Sequence, residues 1–95
     1  MSTENDAIEA AVLRRLLKHL DSRKDVQNIE LMNLAGFCRN CLSKWYMAEC
    51  KDRDVEMDYD GAREFVYGEP YEDWKAKHQV DATPEQLAAF NKTSS

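Results

Sequence analysis

The first apolar pattern of the chain lies in residues 3–20, where apolar side chains recur at steps of three and four. This spacing is that of one face of an amphipathic helix, and Thr3 or Asn5 can cap its first turn. The apolar positions are Ile8, Val12, Leu13, Leu16, Leu17 and Leu20. Residues 21–25 contain no apolar side chain and are rich in turn formers, so we predict that the helix ends there.

The longest pattern runs from residue 28 to residue 51, a stretch without proline in which apolar residues again alternate at steps of three and four. These residues form one apolar seam along the helix, which consists of Leu31, Leu34, Cys38, Cys41, Trp45 and Ala48. We therefore predict one long central helix whose seam faces the core. In such a helix the thiols of Cys38 and Cys41 point inward from the middle.

The opposite side of this predicted helix carries small or uncharged residues, where a solvated helix usually shows long charged ones. Gly36, Asn40, Ser43 and Met47 fall on that side, at about 140° to 200° from Cys38 around the helix axis. We therefore expect this side to make close contact with another surface.

Three shorter helices are predicted in the second half of the chain. Asp58 or Asp60 can cap the first of them, and Gly68 ends it. Pro70 opens the second, and Thr83 begins the third with a capping box. No segment alternates apolar and polar residues over five or more positions, so no strand is predicted. The sequence thus predicts an all-α fold, a compact bundle of about four to five helices with one long central helix.

Composition limits both the architecture and the partners. The 95 residues suffice for one helical domain over residues 1–95. Eighteen acidic residues against 13 basic ones give a net charge of -5, and nine of the acids lie in residues 52–73. This charge repels phosphate backbones and anionic lipid, so we expect neither nucleic acid nor a membrane as a partner.

The beginning of the chain and its cysteines bear on location. The first ten residues carry acids where a secretory signal needs bases, and no stretch approaches the roughly 18 apolar residues of a membrane span. The 3 cysteines are an odd number at irregular spacing, which is typical of reduced thiols rather than of a disulfide framework. We therefore expect a cytoplasmic protein.

A longer motif surrounds the two central cysteines. Residues 36–46 follow the pattern G-F-C-R-N-C-L-x-K-W-Y, and residues 67–75 and 78–79 read Y-G-E-P-Y-E-D-W-K and H-Q. Over nearly its whole length the chain resembles a family of short bacterial proteins known only as a domain of unknown function, DUF1244. The resemblance implies a small all-helical domain, and it assigns no catalytic role to any residue here.

The two central cysteines form a C-x-x-C pair, for which two chemical interpretations exist. A redox pair places its first thiol at the start of a helix, whereas the predicted long helix holds Cys38 in its middle. A zinc site would need two ligands beyond Cys38 and Cys41, with His78 or His19 as candidates and Cys50 facing away. We therefore expect thiols that pack the core, and neither zinc nor any other cofactor is favoured.

Three other polar groups admit a functional and a structural interpretation. Residues 56–61 copy the opening of a calcium loop but lack its final glutamate, so at most weak divalent-cation binding at Asp58 and Asp60 is expected. His19 and His78 lie at predicted helix ends, where they serve as caps. Arg39 could hold an anion, but pairing with an acid of residues 52–73 is favoured.

No motif names a reaction, so an enzyme is less favoured than a binding protein. The predicted core, which includes Trp45 and Phe65, is small for a chain whose central helix has two contact sides. We therefore predict an interaction module that forms a homodimer or binds another protein. The predicted interaction surface consists of Gly36, Asn40, Ser43 and Met47 with the adjoining Arg39 and Tyr46. The alternative is a metal- or thiol-dependent site built on Cys38 and Cys41.

Overall fold

The computed structural model describes residues 3–93, in which helices are the regular secondary structure and turns or irregular segments connect them. The six helices are α1 (Thr3–Asp21), α2 (Asn28–Ala35), α3 (Arg39–Asp52), α4 (Tyr59–Tyr67), α5 (Tyr71–His78) and α6 (Pro84–Thr93). The all-α prediction is confirmed. The number of helices exceeds the predicted four to five because the predicted central helix is two helices.

The long helix predicted over residues 28–51 is wrong, since the chain leaves helical geometry between α2 and α3. Gly36 follows α2 with a φ of 78°, in the left-handed region, and its N–H donates to the carbonyl of Met32. A left-handed residue at this place ends a right-handed helix. Cys38 is extended, with φ -144° and ψ -178°, and it is the N-cap residue of α3. The first cysteine therefore lies at the start of a helix and not in the middle of one.

The ends of the later helices follow the predicted capping residues. The backbone N–H of Gly61 donates to the carboxylate of Asp58 at 2.7 Å, and Gly68 ends α4 in the left-handed conformation. Before α6, the N–H of Gln86 donates to the hydroxyl of Thr83 at 3.1 Å. The Gln86 amide oxygen accepts from the Thr83 N–H at 2.9 Å, which completes the predicted capping box.

The core lies where α3, α4 and α5 meet the second half of α1. Its buried members are Leu17, Val66, Tyr67 and Trp74, surrounded by Leu13, Leu42 and Tyr71. The α3 helix packs most extensively against α4, and α2 packs against α6. Leu34, Trp45 and Phe65, all of which the sequence pattern assigned to the core, are exposed.

Helix α1 is the least enclosed of the long helices. Its buried side chains are Leu17 and Leu20, while Ile8 and Val12 are exposed. The chain measures 46 × 28 × 24 Å along its principal axes. Within residues 3–93, no helix is both long enough and apolar enough to cross a membrane.

The break before α3 predicts the sign of one substitution. Gly36→Ala should lower the free energy of unfolding by about 1–2 kcal/mol, because alanine is strained in the left-handed conformation. An added Cβ meets no atom within 4 Å, so backbone strain is the only cost. Urea unfolding measures the change. Gly68 has a φ of 79°, so Gly68→Ala should lower the free energy of unfolding by a similar amount. If residue 36 belonged to a continuous helix, alanine would instead stabilise the protein by about 1 kcal/mol.

Candidate functional site

The turn that contains the C-x-x-C motif gathers several of the candidate residues at the start of α3. Cys38 is the N-cap residue, and Cys41 stands three residues later in the first turn. Their sulfur atoms lie 3.8 Å apart. Cys38 is buried and Cys41 is half-buried, and both are free thiols. The turn therefore holds one half-buried thiol and one buried thiol close together.

The two sulfur atoms differ in environment. Burial is the main influence on the Cys38 thiol and raises its pKa, and the neighbouring Cys41 thiol also raises it. The backbone N–H groups of Cys41 and Asn40 act in the opposite direction, as expected at a helix N-terminus. Because burial dominates, Cys38 rests as a protonated thiol at neutral pH.

Arg39 lies between the two cysteines in sequence and is buried, with 2% of its surface exposed. Its guanidinium donates to the carbonyl oxygens of Val26 (2.8 Å), Arg23 (3.0 Å) and Leu20 (3.5 Å) and to Oδ1 of Asn28 (3.1 Å). The group also lies over the ring of Trp74, 5.0 Å from its centroid. Burial lowers the pKa of Arg39, but an arginine stays charged in this setting.

The predicted pairing of Arg39 with an acid of residues 52–73 is therefore wrong. Its recorded hydrogen-bond partners are neutral oxygens that precede α3 in the chain, and none is a carboxylate. The physical reason is that the last carbonyl groups of a helix lack partners within the helix and need outside donors. Arg39 supplies such donors at the end of α1 and in the turn that follows it.

A chain of hydrogen bonds links this arginine to α4. The Tyr67 hydroxyl donates to Oδ1 of Asn40 at 2.7 Å and accepts from Nδ2 of Asn28 at 3.0 Å. Oδ1 of Asn28 also accepts from the backbone N–H of Arg39 at 3.3 Å. Burial raises the pKa of Tyr67, so its hydroxyl remains a donor throughout the neutral range.

The contact face predicted on the central helix does not form as one open surface. Ser43 has no exposed surface and donates to the carbonyl of Arg39 at 3.0 Å, and Arg39 is itself inside. Asn40 is half-buried beside Tyr67, and Gly36 lies in the turn before α3. The prediction failed because it assumed one continuous helix with a free side, whereas α4 packs against α3.

The other two residues of the predicted surface lie further along α3 and are half-buried. The ring of Tyr46 contacts that of Phe65, with centroids 4.5 Å apart. Met47 lines a broad open groove with Lys44 and Val55. The six predicted surface residues are therefore distributed among the interior, the inter-helix turn and the outer part of α3.

The candidate metal ligands are placed as follows. Asp58 caps α4, and Asp60 pairs with Arg63 at 2.8 Å. The ring of His78 packs 5.5 Å from that of Trp74. Across the described residues 3–93, no three or more side chains of His, Cys, Asp or Glu converge so that they could hold a metal ion. Cys38, Cys41 and His78 therefore do not make a three-ligand cluster.

An apolar surface that sequence reasoning did not identify runs along α1. Ile8, Val12 and Leu16 are 57%, 64% and 38% exposed and follow one another at intervals of four residues. We call these three residues the α1 stripe. Next to it, Leu13 and Leu17 line a shallow apolar cavity of about 260 Å³, whose rim includes the exposed rings of Trp45 and Phe65.

The α1 sequence does contain a signal for this surface. With Val12 at zero, the stripe spans about -40° to 40° around the axis, whereas Leu13, Leu17 and Leu20 fall at about 80° to 140°. Such an arc is too wide for one neighbouring helix to cover. The second group faces the body of the protein, which leaves the stripe open.

The charges of α1 are also ordered along its length. The charged residues from 4 to 9 are acidic and those from 14 to 18 are basic, with Val12 between the two groups, and Asp21 ends the helix. All six of these charged side chains are exposed: Glu4, Asp6 and Glu9, then Arg14, Arg15 and Lys18.

Comparison with known proteins gives one family match. A family model described as "Protein of unknown function (DUF1244)" matches residues 26–92. The match covers α2 to α5 and nearly all of α6, includes the C-x-x-C turn, and begins after α1. No curated protein matches the chain.

The buried arginine predicts a large effect on stability. Arg39→Met should lower the free energy of unfolding by about 3–5 kcal/mol, because several buried oxygens lose their donor at once. Arg39→Lys should be intermediate, since one ammonium group cannot reach the same partners. Urea unfolding measures both. Arg53→Met, at an exposed position, is the control and should cost at most about 1 kcal/mol. An Arg39→Met variant as stable as this control would contradict the assignment.

The buried phenol predicts a pH dependence. The pKa of Tyr67 is raised in the folded state. Its contribution to the free energy of unfolding is therefore complete below the unfolded-state pKa of about 10 and is lost as the pH rises above that pKa. Tyr67→Phe should cost about 1–3 kcal/mol at neutral pH, since Asn28 and Asn40 lose their partner. The variant should also lose stability less steeply than the wild type above pH of about 10. Parallel slopes in the two proteins would show that Tyr67 does not titrate on unfolding.

Proposed function

We propose that this chain, which belongs to the DUF1244 family, is a helical interaction module that forms a homodimer through α1. No function is assigned to the family, so the proposal is argued from the surface of the protein. The observation that carries the proposal is the α1 stripe. A net charge of -5 supports a protein rather than nucleic acid or an anionic membrane as the partner. The free cysteines support a reducing compartment such as the cytoplasm.

The exposed apolar area supports a protein contact. Three apolar side chains in one row, with the rings of Trp45 and Phe65 beside their helix, make a larger cluster than scattered surface residues. Each square ångström of apolar surface removed from water contributes about 25 cal/mol. Aromatic residues are enriched where protein surfaces meet, so the two rings suit the edge of such a contact.

The order of charges supports a second copy of this chain as the occupant. In an antiparallel pair of α1 helices, the acidic half of one lies beside the basic half of the other. Asp6 and Lys18 each stand six residues from Val12, and Glu9 and Arg15 each stand three, so the acidic segment of one helix lies level with the basic segment of the other along the helix axis. A two-fold axis near Val12 would generate this arrangement, which is the commonest symmetry of homodimers. A parallel pair would instead place acid beside acid.

The proposed contact leaves the fold of each copy unchanged. Leu17 and Leu20 already pack against the body, and they lie on a different arc of α1 from the stripe. The stripe can therefore meet a second copy without withdrawing any side chain from the core.

A single charge in the middle of the stripe should break the dimer. Val12→Glu should weaken association about 100-fold, because two-fold symmetry introduces the buried carboxylate twice. Sedimentation equilibrium at micromolar concentration measures the effect, and circular dichroism confirms that the variant is folded. Ala7→Glu is the matched control, since Ala7 is exposed on the same helix but lies about 140° from Val12. A wild-type protein that stays monomeric up to about 100 µM would contradict the proposed homodimer, because stable homodimers associate well below this concentration.

Charge exchange tests the antiparallel arrangement separately. One variant replaces Glu4, Asp6 and Glu9 with lysine, and the other replaces Arg14, Arg15 and Lys18 with glutamate. Each variant alone should dimerise more weakly than the wild type, because like charges then face one another. An equimolar mixture should form heterodimers, which native mass spectrometry resolves. Variants that each dimerise as well as the wild type would contradict the charge pairing.

A further inference from the structure

We propose that Cys38 and Cys41 form a redox-active dithiol that exchanges with small-molecule disulfides. In this proposal Cys41 is the attacking thiol, and Cys38 is the resolving thiol that closes the protein disulfide. The proposal concerns the start of α3 and does not depend on the homodimer.

The break between α2 and α3 makes the pair suitable for closure. Inside a regular helix, Cβ atoms three residues apart are about 5–6 Å from each other, whereas a disulfide needs about 3.5–4.5 Å. Cys38 is extended and lies outside the helix, and its sulfur stands 3.8 Å from that of Cys41. The bond forms when the sulfur atoms approach to about 2 Å.

The two cysteines differ in access, which assigns their roles. Cys41 is half-buried, so an external disulfide can reach it, whereas Cys38 is buried behind it. Phe37 and Trp45 each stand four residues from Cys41, and their rings stack with centroids 6.1 Å apart. These rings give an incoming disulfide an apolar surface beside the attacking sulfur.

Two features near Cys38 offset part of the effect of its burial. The first turn of α3 contains no acidic residue, and the backbone N–H groups of Asn40 and Cys41 act on Cys38 so as to favour its thiolate. The Arg39 guanidinium adds a positive charge whose recorded hydrogen-bond partners are all neutral. Burial raises the pKa of Cys38 and limits access to its sulfur, which suits a resolving thiol rather than an attacking one.

The exchange balances with one external disulfide as the oxidant. The Cys41 thiolate attacks one sulfur of the disulfide, a Cys41 mixed disulfide forms, and the first external thiolate leaves with the proton that Cys41 released. Cys38 then loses its proton and attacks the Cys41 sulfur. The second external thiolate leaves with that proton. Two protein thiols and one disulfide become one protein disulfide and two external thiols, and two electrons pass from the protein to the oxidant.

Cys50 provides an internal control on the same helix. It stands twelve residues from Cys38 near the other end of α3, about 18 Å away along the helix axis. No side-chain motion brings these two sulfur atoms together. Any bond to Cys50 must therefore involve another molecule.

Oxidation by glutathione disulfide tests the proposal on the folded 95-residue chain. After quenching and alkylation, intact mass should show that the wild type and Cys50→Ser lose two hydrogens through a bond between residues 38 and 41. Cys38→Ser should accumulate one glutathionyl group on residue 41, because the resolving thiol is absent. In the Cys50→Ser background, Cys41→Ser should react at least about tenfold more slowly than Cys38→Ser, since only the buried thiol remains.

Two results would overturn the proposal. The first is that folded Cys50→Ser protein keeps both thiols or stops at a single glutathionyl adduct. The control is the same chain unfolded in urea, which must form the bond between residues 38 and 41 under the same conditions. The second is equal reaction rates for the Cys38→Ser and Cys41→Ser chains. Circular dichroism checks the folding of each variant, and the Cys50→Ser result stands even if loss of the N-cap residue unfolds the Cys38→Ser chain.

Discussion

The guanidinium of Arg39 is the group around which the first three helices are arranged. It is a buried cation, and such a group is stable only when its donors are used. The donors are satisfied by carbonyl oxygens at the end of α1 and in the following turn, by Asn28, and by the face of Trp74. One side chain thereby joins the end of α1, the start of α2 and the Trp74 ring of α5.

This arrangement also accounts for the position of the two cysteines. Arg39 reaches its partners from the first position of α3, and the chain leaves helical geometry just before it. Gly36 provides the left-handed residue that permits this break, and Cys38 becomes the N-cap residue. The hydrogen bonds among the neutral side chains of Asn28, Tyr67 and Asn40 then connect the same turn to α4. The position of the thiol pair and the link between this turn and α4 thus both depend on where α3 begins.

Local signals predicted most helix ends, and their limits explain the errors. Asp58, Gly68 and Thr83 act as caps because capping depends on neighbouring residues alone. The break at Gly36 was missed because apolar spacing continues across it. The partners of Arg39 are mostly backbone oxygens, which leave no pattern in a sequence. The exposure of Trp45 and Phe65 could not be predicted either, since apolar spacing does not tell which neighbouring helix covers a side chain.

The most direct test of this account is the backbone conformation of residues 35–39 in solution. Carbon-13 chemical shifts of the isotope-labelled chain report helical or extended geometry residue by residue. If α2 and α3 are separate helices, the shifts are helical over residues 28–35 and 39–52, with an extended shift at Cys38 between them. Uninterrupted helical shifts from residue 28 to residue 51 would contradict it, because Cys38 and Cys41 would then lie in the middle of one helix.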